Sequence, residues 1–236
     1  MVSSASKPDR GLPALLARWA LAAGLVYLIL FVLFFIEFPL LQNSPLPEMF
    51  NDLILAMRNA ALARLSIGLS LLYWLLIGGY FVFAGTWVSQ RSSALGSIVT
   101  ALGIGQLAGV AGNVLQLNSL GALASAYGTA GLEQPALLRA FSDLRLEYTS
   151  GFEVGGLLWA VALLVLAYAT FVAGLHPRWL SILTAIAGLV ALANFIVMLV
   201  AAAYDPPVVA ELLLMLVFFG TTVGLWRRGA DASLPG

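Results

Sequence analysis

Apolar residues run through this chain in six long, unbroken blocks, and polar residues collect between them. The blocks fall at Leu15–Ile36, Leu65–Val88, Leu95–Leu117, Phe152–Gly174, Trp179–Ala203 and Val208–Trp226. A helix rising about 1.5 Å per residue needs about 20 residues to cross a hydrocarbon core of about 30 Å, and each block reaches that length. The runs are continuous rather than alternating, which excludes a transmembrane barrel. The expectation is an all-α, polytopic membrane bundle, one domain over residues 1–236 with six transmembrane helices. Short amphipathic helices are expected on its outer side.

Composition agrees. Hydrophobic residues make up 61% of the chain and charged residues 9%, against about a quarter charged in soluble domains. A water-soluble protein of this size has no interior large enough to hide so much apolar surface. There is no cysteine, which removes disulfides, thiolate metal sites and thiol nucleophiles. Lys7 is the only lysine, so no Schiff base forms inside the membrane.

Charge distribution then sets an orientation. An even number of spans places both termini on one side. Lys7, Arg10, Arg18, Arg91, Arg178, Arg227 and Arg228 fall on that side, against Asp9 and Asp231. The opposite side carries Arg58, Arg64, Arg139 and Arg145 among nine carboxylates, from Glu37 to Glu211. The cation excess predicts cytoplasmic termini. Trp19, Trp87, Trp179 and Trp226 fall at the same ends of the spans, as an interfacial aromatic belt does. The first span is too long for a cleaved signal core and lacks a small-residue cleavage site, so it reads as a retained anchor. The expected location is the plasma (inner) membrane of a bacterium or archaeon, with membrane lipids, and further membrane subunits, as the partners in reach.

The connections are unequal. Ser89–Ala94 and Leu175–Arg178 are short turns that make antiparallel hairpins. The outer segments 37–64 and 119–151 are longer. The first begins with a turn containing Pro39, Pro45 and Pro47 and then reads as a helix. The second begins as a small-residue loop around Gly121, Gly128 and Gly131. After Pro135, residues Leu137, Leu138, Phe141, Leu144 and Tyr148 recur at helical spacing, predicting an amphipathic helix. Tails 1–7 and 229–236 read as flexible, and Asp205-Pro-Pro207 as a tight turn. The two halves share no convincing repeat of the kind transporters use.

Polar residues inside the spans are the candidate chemistry. Gln106, Gly109, Asn113 and Gln116 fall on one face of the third span, with Gly105 and Gly112 beside them. A polar side chain in hydrocarbon needs a partner, and small residues admit a neighbouring helix, so this face is expected to point into the bundle. It serves either as interhelical packing, with Gly105, Gly109 and Gly112 as packing positions, or as one wall of a polar cavity. Asn194 in the fifth span, with Glu153 and Glu211 at the starts of the fourth and sixth, joins it on the cavity reading. Glu37 ends the first span. Boundary carboxylates also reach water and suit helix N-termini. Trp74 and Trp159 lie about 10–12 Å deep by helical rise. There they pack the core or line a pocket for a flat apolar ligand. His176 is the lone histidine, in the turn Leu175-His-Pro-Arg-Trp179, and cannot alone build a haem or metal site.

No phosphate loop, dinucleotide fingerprint or serine elbow occurs. No cofactor, metal or nucleic-acid partner is expected, and the only candidate bases for an enzyme are the boundary carboxylates. The six-span layout, the turn Leu175-His-Pro-Arg-Trp-Leu180 before a Gly188-containing helix, and the closing Leu225-Trp-Arg-Arg228 resemble a broad group of bacterial membrane proteins. That group is known as a domain of unknown function with a Pro-Arg-Trp turn before the fifth helix. The resemblance implies a fold and a location and carries no activity. The sequence therefore points to a non-enzymatic membrane protein that binds or passes a small apolar or lipid-like ligand in an outward-opening cavity. An accessory or scaffold subunit, presenting its small-residue face to a partner, is the alternative.

Overall fold

The structure, a computed structural model, describes residues 11–42, 46, 50–129, 134–201 and 208–231. The side chains of 128, 129, 146, 148–150, 152, 198–201, 208 and 228–231 fall outside that description. Among the described residues the chain forms eight helices and no strand. They are α1 (Gly11–Leu41), α2 (Asn51–Arg58), α3 (Ala60–Ser89), α4 (Ser93–Gly105), α5 (Leu107–Thr129), α6 (Gln134–Val172), α7 (Arg178–Ala201) and α8 (Val208–Asp231). Six helical stretches are long and apolar enough to cross a membrane, with α4 and α5 together making the third. The all-helical, six-span expectation holds.

Local chemistry explains where the helices start and stop. Asn59 separates α2 from α3: its backbone N–H bonds Leu55 O (2.7 Å), and its side-chain Oδ1 accepts from the Leu62 N–H (3.0 Å), capping α3. α6 ends in a Schellman motif. The Leu175 N–H reaches Thr170 O (3.0 Å) and the Gly174 N–H reaches Phe171 O (3.3 Å), with Gly174 at φ +61°. Pro177 then opens α7, its carbonyl accepting from Leu180 and Ser181.

Three details depart from the sequence pattern. The third span is broken rather than straight: Gln106 sits in a turn between α4 and α5, and the Gly109 N–H bonds back to Gln106 O at 3.0 Å, one residue short of α-helical spacing. Gly103 and Gly105 weaken the helix just before it. The small-residue stretch around Gly121 is not a loop, because α5 continues to Thr129 through Ala- and Leu-rich sequence that favours helix despite the glycines. Finally, the helix after Pro135 and the fourth span are one continuous helix, α6. Its amphipathic character survives: Phe141 is fully buried while Arg139, Asp143 and Glu147 are exposed. Pro135 falls at its second residue, where a missing N–H costs nothing. In the first outer segment Pro39 belongs to α1, while Pro45 and Pro47 lie outside the described residues, as do Gly131, the Asp205-Pro-Pro207 turn and tail 1–7. At the other tail, α8 reaches Asp231 before the description ends.

The chain divides into two compact units: Met1–Gly24, Leu76–Ile104 and Leu158–Gly236 form the first, and Leu25–Leu75 and Gly105–Leu157 the second. In the first unit α7 packs on α8. Tyr80 and Phe218 meet edge to face at 5.0 Å, and the Tyr80 hydroxyl lies 3.3 Å from Thr221 Oγ1. Thr222 Oγ1 donates to Ala17 O at 3.2 Å, joining α8 to α1, and Thr170 and Ser181 hydroxyls share a bond of 3.0 Å between α6 and α7. α3 and α4 nearly touch at Gly85 and Gly96, where a Cβ on Gly85 would lie 2.7 Å from Gly96 O.

The second unit has its own core. α2 lays Leu53, Ile54, Leu55 and Ala56 against Ala63 and Ile67 of α3, Leu120 and Ala124 of α5, and Phe141 of α6. The short α2 is thus an amphipathic helix held by its apolar face, as the expectation for this segment had it.

Candidate functional site

Polar side chains of α1, α2, α3 and α5 interact within the second unit. Gln116 of α5 donates from Nε2 to Asp52 Oδ2 of α2 at 3.0 Å. The Asp52 charge bears on the Glu37 carboxylate in the last turn of α1, which is hydrogen-bonded by the Ser66 hydroxyl of α3. One turn before Gln116, Asn113 is fully buried and donates from Nδ2 to its own helix at Gly109 O (3.0 Å). Arg58 closes the other end of α2, donating from Nη1 to the carbonyls of Leu40 and of Gln42, the latter at 2.9 Å.

Two acceptors stand out in this unit. Glu37 Oε1 and Asn113 Oδ1 are buried and have no hydrogen-bond partner among the described residues. A buried acceptor left without a donor costs about 1–3 kcal/mol, so each of the two needs a reason. Glu37 adds an electrostatic one: it lies at the C-terminal end of α1, where the helix dipole opposes an anion, beside a second carboxylate. The local field favours a hydrogen-bond donor or a cation.

Trp74 packs beside α5. Its ring lies between α5 and α6, against Gly109 and Gly155. A Cβ on Gly109 would fall 2.6 Å from Trp74 Cε3, and one on Gly155 2.8 Å from Cζ3. A Cβ on Gly151 would lie 2.7 Å from Ala108 O and 3.2 Å from Gly112 Cα. Gly109 and Gly112 therefore receive neighbours from within this chain, and these close approaches are what the glycines permit.

The sequence-predicted site residues divide between the units. Gln106, Asn113, Gln116, Glu153 and Trp74 belong to the second, with Gly105, Gly109 and Gly112. Trp159, Asn194 and Glu211 belong to the first. Gln106 and Asn113 are fully buried and Gln116 nearly so. Glu153 is half-exposed on α6; Asn194 and Glu211 are half-buried on α7 and α8, and Trp159 is buried in α6. Asn113 and Trp74 both meet Gly109, and Gln116 follows Asn113 by one turn of α5. The structure adds three residues that the sequence pattern did not select: Asp52, Ser66 and Arg58. Asp52 and Gln116 are 64 residues apart, and no local signal pairs them. His176 is buried against the Trp87 ring at 5.3 Å, in the turn before α7. No group of three metal-ligating side chains occurs among the described residues.

Six helical stretches long and apolar enough to cross a membrane define a multi-pass helical membrane protein. Residues 13–226 match one family model, described as a domain of unknown function, DUF4386. The chain belongs to that family. No curated protein and no solved structure matches it.

Proposed function

We propose that this protein is a non-enzymatic membrane receptor or carrier for a small lipid-like ligand, whose apolar body carries a hydrogen-bond-donating or cationic head. The observation that carries this reading is the pair of buried acceptors, Glu37 Oε1 and Asn113 Oδ1, without donors in the second unit. A ligand head placed there would satisfy both and offset the repulsion between Glu37 and Asp52. Gln106, Asn113, Gln116 and Glu153 are the polar lining on this reading, and Trp74 supplies a flat apolar wall. Trp159, Asn194 and Glu211 are in the first unit and are not needed for it.

The cation excess at the helix ends shared with both termini supports cytoplasmic termini in a plasma membrane. The site would then open outward, since α2 and its Asp52 lie on the opposite side. The test is Asn113→Leu, with co-purified small molecules read by native mass spectrometry. The variant is expected to lose an adduct that the wild-type protein carries while its unfolding midpoint holds. Retention of the adduct refutes the assignment, and loss of the fold instead makes Asn113 a packing residue.

A further inference from the structure

Arginine and tryptophan are sequence neighbours in three helices of the first unit: Arg18-Trp19 two turns into α1, Arg178-Trp179 opening α7, and Trp226-Arg227 near the end of α8. Trp87 and Arg91 make a fourth pair, one turn apart, where α3 gives way to α4. All four arginines are exposed. None of them forms an ion pair among the described residues. Glu211 is in the first turn of α8, about 24 Å of helix away from Arg227. Against the seven cations on this side the sequence sets only Asp9 and Asp231, so the positive charge is in excess there.

Packing contacts bring the pairs together. A Cβ on Gly224 would meet Pro177 at 3.8 Å, and Arg227 follows Gly224 by one turn while Arg178 follows Pro177 directly. The Trp179 ring lies over Gly220, 3.1 Å from where its Cβ would stand. Arg18 adjoins Ala17, whose carbonyl Thr222 holds. Trp179 and Trp226 nevertheless remain 54% and 58% exposed. Beyond them, Ile182, Ile186 and Leu189 form an exposed apolar face along α7, with Val223 and Leu216 exposed on α8.

We propose that this end of the first unit is a docking surface for anionic phospholipids. Arg178 and Arg227 grip the headgroup phosphate, Trp179 and Trp226 lie against the glycerol region, and the acyl chains follow the α7 face. A guanidinium binds phosphate through paired N–H groups, and an indole prefers the headgroup level. Charge alone would suit any anion. The apolar track running away from the arginines is what selects an anion with tails over a soluble one. The surface is independent of the polar residues in the second unit.

The experiment is native mass spectrometry of the full-length protein from nanodiscs holding equal phosphatidylglycerol and phosphatidylcholine. Wild type is expected to retain phosphatidylglycerol selectively. Each arginine near an anionic surface is worth about fivefold, so R178Q/R227Q is expected to lower the selection roughly thirtyfold, and R64Q/R139Q to leave it unchanged. Unchanged selection in R178Q/R227Q, or an equal loss in R64Q/R139Q, overturns the proposal. So does displacement of the lipid by inorganic phosphate, which marks a soluble-anion site. Should R178Q/R227Q not fold, the wild-type protein still decides: selection is expected to fall as salt rises, and a flat response refutes the surface.

Discussion

Gly109→Ala tests how Trp74 is held. A methyl group at this position would stand 2.6 and 2.7 Å from Cε3 and Cε2 of the Trp74 ring, where ordinary carbon contacts are about 3.5–4.0 Å. The ring would have to retreat by about 1 Å to restore contact distance. It has no room to do so, because the α6 side is closed by Gly155, whose own Cβ would lie 2.8 and 3.0 Å from Cζ3 and Cη2. Overpacking of this kind costs about 1–3 kcal/mol. Replacing glycine by alanine inside a helix returns about 1 kcal/mol. The net expectation is a destabilisation of about 0–2 kcal/mol, less than the clash alone.

The assay is reversible denaturation in detergent micelles, followed by circular dichroism, for wild type, Gly109→Ala, Trp74→Leu and the double variant. With leucine at 74 the methyl group has space, so Gly109→Ala should become neutral or stabilising in that background. The sign change is the signature of direct contact. A stabilising Gly109→Ala with Trp74 present, or the same effect in both backgrounds, would refute the packing argument.

Two further perturbations separate backbone from side-chain effects. Gly174→Ala is expected to cost about 1–2 kcal/mol purely through the backbone, since φ is +61° and no atom lies within 4 Å of the new methyl. A wild-type denaturation curve would show that the Schellman end of α6 does not need glycine. Ser181→Ala removes the hydroxyl bond between α6 and α7, worth about 0.6 kcal/mol between membrane helices. Thr170 keeps its bonds to Leu166 O and Ala167 O, which holds the loss at the low end. A loss several times larger in the same denaturation assay would mean that Ser181 carries more than this one contact.

The spans were legible because apolar length is a one-dimensional property, and lipid leaves the backbone few alternatives to a helix. Buried amides of the third span were legible for a related reason: Gln106, Asn113 and Gln116 recur at helical spacing, and a polar group in an apolar medium must face inward. What the pattern could not carry was pairing across the fold. Asp52 looked like one more carboxylate in a connection, and only the packing of α2 on α5 turns it into the partner of Gln116. The break at Gln106 was hidden as well. Its flanking residues keep the apolar rhythm of a single span, so hydropathy continues unbroken where the hydrogen bonding does not. The helix after Pro135 failed to separate from the fourth span because Gly151, read as the end of a connection, packs closely on α5 and stays helical.

The most direct test of the central claim is native mass spectrometry of the wild-type protein in nanodiscs formed from its own membrane, without added ligand. The account predicts a stoichiometric small-molecule adduct with an apolar body and a donor-bearing or cationic head. A bare chain, or a chain recovered only with another membrane protein and no small molecule, would contradict it.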